Sequence, residues 1–192
     1  STLMRSSAAS DVYKRQLPEN QIMGSGTILD TARLRYGLSE HFKVAQGNIH
    51  AYVFGEHGDT SFIPWTGAYI SGLSTDEYYE EMKAHGKDVK PLDKEAMLEY
   101  VQKSGGKVIA KKGATFYAVS ATVCQLVGLI LAASDSLATV SSMLHGEYGI
   151  EDVCLSTLTL VGPNGIQGKV QMRMNKEEVA LLKKSADALK EV

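Results

Sequence analysis

HAYVFGEHGD, residues 50–59, and GSGTILDTARLR, residues 24–35, decide how this chain is read. The apolar run Ala51 to Phe54 predicts a short buried strand from His50 to Phe54. Gly55 ends it and releases a loop carrying Glu56, His57, Gly58 and Asp59. A histidine at a strand end beside two glycines is placed for chemistry. In the second stretch Asp30 and Arg33 stand at i and i+3 of a predicted helix, so an anion and a cation share one face and can address a common point. Arg35 belongs to another face: at ~100° per residue it is turned by roughly 140° from Asp30 and 200° from Arg33.

Taken together, LDTARLR at 29–35, HAYVFGEHGDTSFIPW at 50–65 and KKGATFYAVS at 111–120 resemble the carboxyl-terminal half of the bacterial L-lactate dehydrogenases, within the lactate/malate dehydrogenase family. The likeness is collinear from about Leu17 to Val192. It implies an α+β substrate-binding and catalytic domain over residues 25–192 and a remnant of an inter-domain connection over 17–24. The first sixteen residues, STLMRSSAASDVYKRQ, match nothing in that pattern and are expected to be a non-native or disordered tail. The resemblance further implies NAD as cofactor, pyruvate and L-lactate as substrate pair, a role in glycolysis and pyruvate fermentation, and a homotetramer.

The chemistry of such an enzyme asks for particular side chains. Moving a hydride between a hydroxy acid and a nicotinamide needs a group that takes the hydroxyl proton in one direction and returns it in the other. Histidine does both near neutrality, and His57 is the candidate. A carboxylate on its far nitrogen would fix the tautomer and favour the imidazolium, which points to Asp30. The substrate carboxylate wants a forked guanidinium, which Arg33 offers. The resemblance adds Thr115 as a hydroxyl lining the substrate pocket and Val119, one turn on, facing the nicotinamide ring. It also matches Arg35 and His50 to positions that hold the phosphates of fructose 1,6-bisphosphate, an allosteric effector, at a two-fold subunit interface. Read alone, Asp30 and Arg33 are a surface ion pair, His57 a loop histidine, Thr115 a helix cap, Arg35 a surface arginine and His50 a strand-end residue. His41, His85 and His145 read as surface residues.

No GxGxxG follows a strand, and Gly24-Ser25-Gly26 lacks the third glycine, so the phosphate cradle for NAD is missing from this chain. The amino-terminal Rossmann domain is therefore expected to be absent, and the chain on its own nearly inert. Another 2-hydroxy-acid enzyme of the family, such as a malate dehydrogenase, would keep the same three residues. Glu56 before His57 is the more lactate-like choice. A non-catalytic oligomerisation domain is the alternative from a different class.

Other segments predict further elements. Ser25 or Thr27 is expected to cap a helix reaching Phe42, and residues 62–65 form a second strand candidate. Ser74 or Thr75 caps an acidic helix that Gly86 ends, and Asp93 caps another that Gly105-Gly106 kinks or breaks. Residues 115–134 read as a buried core helix rather than a membrane span, because Gln125 sits mid-run and no aromatic belt flanks it. Residues 138–144, 154–161 and 168–174 predict three antiparallel strands, the last two joined through Pro163-Asn164-Gly165. Asn175 and Glu178 predict a capping box for the final helix.

The 192 residues, 44% hydrophobic and 22% charged, suit one folded domain, and a net charge of −2 argues against a nucleic-acid partner. Cys124 and Cys154 stand far apart without a CxxC, so neither a metal site nor a disulfide framework is indicated and a reducing, cytoplasmic compartment is the default.

Overall fold

A computed structural model describes residues 17–190. The expected tail, residues 1–16, lies outside the described residues. Five α-helices and eight short strands alternate: α1 Ile28–Phe42, β1 Ile49–His50, β2 Tyr69–Ile70, β3 Leu73–Ser74, α2 Thr75–Ala84, α3 Lys94–Lys112, α4 Tyr117–Leu131, β4 Ser136–Ala138, β5 Ser141–His145, β6 Glu151–Ser156, β7 Thr159–Gly162, β8 Gly165–Lys169 and α5 Lys176–Lys190. All ladders are antiparallel, in sheets ordered β1-β2-β3, β4-β7-β8 and β5-β6. This is the expected α+β class.

The segment at the centre is not the strand its pattern predicts. Only Ile49 and His50 pair in a ladder, residues 51–53 have no neighbouring strand, and Phe54 makes a single bridge. Three main-chain groups of residues 51–53 are taken by side chains of helix α1, and Phe54 exchanges both of its own with Phe62. Thr27 Oγ1 donates to the Val53 carbonyl at 2.5 Å, the Val53 N–H donates to Thr31 Oγ1 at 3.0 Å, and Arg35 Nε donates to the Ala51 carbonyl at 3.1 Å. Thr27, Thr31 and Arg35 are spaced four apart, so they form one stripe along the helix. Thr27 is consequently not a side-chain cap, and α1 begins at Ile28 without one. Side chains still alternate along the segment. Ala51 and Val53 enter a core built with Leu34, Leu38 and Val101, whereas Phe54 enters a second core with Phe62, Leu155 and Leu182. Burying leucines such as Leu34 and Leu38 completely stabilises by about 1.5–3 kcal/mol each.

Other expectations meet the same kind of correction. Residues 62–65 contribute only a bridge, Phe54 to Phe62, and Trp65–Gly67 is a 3-10 turn. Helix α3 passes Gly105 and Gly106 without interruption and ends at Gly113, whose φ of 76° suits the left-handed C-cap. The predicted strand 154–161 divides after Ser156, and Pro163-Asn164 turns β7 into β8, so five strands replace three. Helix α4 is the largest departure. Only Thr122 and Leu126 are buried, while Val119, Val123, Val127 and Leu131 form an exposed apolar stripe. No helix of the described residues is long and apolar enough to cross a membrane.

The caps at Ser74, Asp93 and Asn175 form as expected. Ser74 and Glu77 close a capping box, the Asp93 carboxylate accepts from the Ala96 N–H, and Asn175 and Glu178 exchange hydrogen bonds at 2.8 and 3.0 Å.

Replacing Thr31 by Val keeps the shape and strands the buried Val53 N–H and the Thr139 hydroxyl, which lies 3.0 Å from Thr31 Oγ1. We expect a loss of about 1–3 kcal/mol in urea unfolding. Thr31→Ser should recover most of it, whereas an unchanged midpoint in Thr31→Val would remove the ladder from the account of stability.

Candidate functional site

Helix α1 and the loop after Phe54 meet at Asp30. Its carboxylate, in a residue 5% exposed, divides between two cations: Oδ2 lies 2.6 Å from His57 Nδ1, and Oδ1 accepts from Arg33 Nη1 at 3.0 Å. Hydrogen bonds of this charge-assisted kind are roughly twice as strong as neutral ones. The His57 side chain is 62% exposed, so one edge is held and the other reaches open space. Among the described residues Nε2 takes no hydrogen bond. The bond from Asp30 raises the His57 pKa above its ordinary 6.5, against burial, which lowers it; the Asp30 charge adds to the rise and Arg33 opposes it.

The loop that presents His57 is tied from three sides. Gly55 takes φ 98°, and an added Cβ there would stand 2.6 Å from Ser185 Oγ, so glycine is required by backbone and space together. Ser185, fully buried on α5, accepts the Glu56 N–H at 2.8 Å, and its own hydroxyl lies 3.0 Å from Thr60 Oγ1. The Glu56 carboxylate accepts the Thr60 hydroxyl at 2.7 Å. From α3, Gln102 donates to the Asp59 and Ser61 carbonyls at 3.2 and 2.9 Å. Sequence reasoning missed Ser185, Thr60 and Gln102, because nothing in their local pattern announces a partner so far along the chain.

A cleft of about 240 Å³ opens here, and Asp30, Arg33, His57, Thr115 and Val119 all line it. Gly105 and Gly106 line it as well. A Cβ at Gly105 would meet only the Arg33 guanidinium, at 3.7 Å, and one at Gly106 would meet nothing within 4 Å. Neither glycine has a positive φ, and each costs a helix about 1 kcal/mol against alanine. The pair that suggested a kink thus leaves room beside Arg33.

Arg35 and His50 stand apart from this cleft. Half-buried Arg35 spends Nε on Ala51 and lays its guanidinium over the Tyr52 ring, 5.0 Å from the centroid. His50 is exposed at the start of the segment. No group of three or more His, Cys, Asp or Glu side chains among the described residues could hold a metal ion.

Residues 27–192 match the family model described as lactate/malate dehydrogenase, alpha/beta C-terminal domain. Over 175 residues the chain is 45% identical to the L-lactate dehydrogenase of Acetivibrio thermocellus, covering 91% of this chain and 54% of that relative. It is 42% identical to L-lactate dehydrogenase 1 of Clostridium acetobutylicum, covering 91% and 55%. Among solved structures, an L-lactate dehydrogenase from Clostridium thermocellum superposes with a TM-score of 0.81 at 35% identity, over 92% of this chain and 56% of that one. A lactate dehydrogenase from a Medee basin deep-sea metagenome superposes with 0.90 at 28% identity, over 96% and 58%. The chain spans about half the length of the curated relatives it matches.

The Asp30 bond has a measurable signature. We expect the His57 imidazole to titrate above 6.5 by NMR, and Asp30→Asn to bring the midpoint down to 6.5 or lower. Because the folded pKa is raised, the pair's contribution to stability is fully present below pH 6.5 and is lost as pH rises through the folded midpoint. An identical midpoint in the variant would mean that Asp30 does not set the charge of His57.

Proposed function

The chain belongs to the lactate/malate dehydrogenase family, and we propose from that premise that it is the substrate half of an NAD-dependent L-lactate dehydrogenase interconverting pyruvate and L-lactate. The observation that carries this reading is the shared carboxylate: Asp30 holds His57 at 2.6 Å and Arg33 at 3.0 Å, on the wall of one cleft. In the direction of reduction, protonated His57 gives its Nε2 proton to the developing alkoxide of the substrate, and Asp30 steadies the ring. In reverse, neutral His57 takes the hydroxyl proton. Arg33, with Nη1 on Asp30, turns the rest of its guanidinium to the substrate carboxylate, in the space that Gly105 leaves. Thr115 supplies a hydroxyl to the pocket wall.

The residues present fit the ring end of a nicotinamide. Val119 and Ile109 put exposed apolar surface on the cleft, suited to a flat ring. The bound nicotinamide supplies or receives the hydride at the carbon that bears the oxygen. This chain contains no glycine-rich phosphate cradle, so NAD binding requires a second, nucleotide-binding body. The exposed stripe Val119, Val123, Val127 and Leu131 is apolar surface for such a body or for another subunit to cover. That same stripe is what favours the other reading, a non-catalytic oligomerisation domain. A malate dehydrogenase would need the same acid/base and carboxylate-binding groups, and the names of the relatives favour lactate.

Regulation by fructose 1,6-bisphosphate is part of the proposal. Arg35 and His50 flank the same main-chain segment, and duplicating them across a two-fold axis would gather two guanidiniums and two imidazoles for two phosphates. With one nitrogen on Ala51, the Arg35 guanidinium still has Nη groups to offer.

The test joins this chain behind the amino-terminal half of the Acetivibrio thermocellus enzyme and follows pyruvate-dependent NADH oxidation. We expect turnover in the joined protein and almost none in the 192-residue chain alone. Arg33→Lys should lower kcat/KM by about 2 kcal/mol or more of transition-state binding. His57→Gln should abolish turnover and spare NADH binding; equal loss of both would rule out a proton-transfer role.

In the same joined protein fructose 1,6-bisphosphate should lower the KM for pyruvate, with a coupling of about 1–3 kcal/mol. Arg35→Gln combined with His50→Gln should remove the response, and His50→Gln alone, which keeps the Arg35 bond to Ala51, should weaken it and leave basal turnover. If the unaltered protein is indifferent to millimolar effector, the two cations are structural.

A further inference from the structure

A second cleft, of about 220 Å³, shares no residue with the His57 cleft and is lined by Glu19, Ser142, Met143, His145, Glu147 and Lys169 among others. Lys169 ends β8 opposite Thr159 on β7, with Ser142 reaching in from β5. Its Nζ donates to the Ser142 hydroxyl and, at 3.5 Å, to the Thr159 hydroxyl. Both hydroxyls belong to buried residues.

We propose that Lys169 is a nucleophilic modification site, an amine held half-buried between two hydroxyls on the wall of an open cleft, that accepts an acyl group from an uncharged activated ester or thioester. The charges around it explain why. Among the described residues no carboxylate comes within ion-pair distance of Nζ, because the nearby acids are engaged elsewhere. On the connector, Glu19 Oε1 lies 2.5 Å from His145 Nε2, and Glu147 on the following turn accepts the His145 N–H at 2.6 Å. Cys154 on β6 lies within electrostatic reach of Lys169. An ammonium here gives up water without gaining a counter-charge, whereas a neutral amine still has two N–H groups for the two hydroxyls and keeps its lone pair free.

Burial accordingly lowers the Lys169 pKa from its ordinary 10.5 to about 8, and the charges of Glu147 and Glu19 oppose the fall only in part. At pH 7.5 about a quarter of such amines are neutral, against roughly one in a thousand for an ordinary lysine, a gain of ~240-fold. If nucleophilicity falls with basicity as it does for thiols, about tenfold is lost again, which leaves a net advantage of ~20-fold. Cys154 is no rival, because burial raises its pKa and keeps it as the thiol. Glu19 and Glu147 on the rim disfavour anionic donors such as acyl phosphates.

In the reaction the Nζ lone pair forms a bond to the acyl carbon, and the thiolate or alkoxide leaves with the electrons of the broken bond. One Nζ proton passes to that leaving group or to water. The resulting amide is neutral and keeps one N–H for Ser142.

The test exposes the 192-residue chain to a limiting amount of S-acetyl-N-acetylcysteamine at pH 7.5 and maps acetylation by peptide mass spectrometry. Exposed Lys43 serves as the internal standard. Lys169 should be acetylated ~20-fold faster than Lys43, with a rate that inflects near pH 8, and the preference should vanish in concentrated urea. Equal rates at the two lysines, an inflection at pH 10 or above, or a preference that survives unfolding would each overturn the proposal.

Discussion

Everything in the cleft depends on a segment whose backbone is hydrogen-bonded to a helix's side chains. Residues 51–53 cannot leave their N–H and carbonyl groups unpaired in the interior, and no strand lies alongside to take them. The stripe Thr27, Thr31, Arg35 takes three of these groups from α1, the Ala51 carbonyl and both groups of Val53. Its spacing fixes which part of α1 lies against which residue of the segment, and a slip by one helical turn would break all three contacts at once. Asp30 and Arg33 sit on the same helix, and His57 follows the same segment by four residues. The register that satisfies the backbone is therefore the register that brings the three charges together.

The same geometry explains why Asp30 tolerates burial. A lone carboxylate at this depth would lose its water without compensation, and the protein answers with one cation from its own helix and one from the loop. Because His57 is exposed on its other edge, its charge can change with pH while the carboxylate remains covered. The loop is held by Ser185, Glu56, Thr60 and Gln102 through hydroxyl, amide and carboxylate contacts.

What could be read from the sequence divides along a physical line. The Asp30–Arg33 pair was legible from its i, i+3 spacing, the joining of His57 to it across 27 residues was suggested by the family resemblance, and caps at Ser74, Asp93 and Asn175 were legible because each closes within three residues. The strand at 51–54 was misread for a definite reason: a continuous apolar run reports burial on both faces and says nothing about who takes the hydrogen bonds. The apolar run of α4 was misread in a related way, since hydropathy states that a surface wants covering and not that the same chain covers it. At Gly105 and Gly106 the low helix propensity was real, but packing overrode it and the signal concerned space beside Arg33.

Arg35 gathers these threads. Its Nε is a rung of the ladder, its guanidinium lies on Tyr52, and its helix carries Asp30 and Arg33. Any anion that drew the guanidinium away from the ring would pull on the Ala51 carbonyl, and so on the segment that ends at His57. A displacement there would reach Asp30 by two routes, through the helix and through the loop, and both end on the same carboxylate. Coupling between a remote cation and this cleft thus needs no domain motion; it needs only that the ladder have two arrangements of similar free energy. Arg35 therefore cannot be neutralised without also removing a backbone hydrogen bond, which makes the charge of the Nη groups, rather than the presence of the side chain, the quantity that separates an effector role from a structural one.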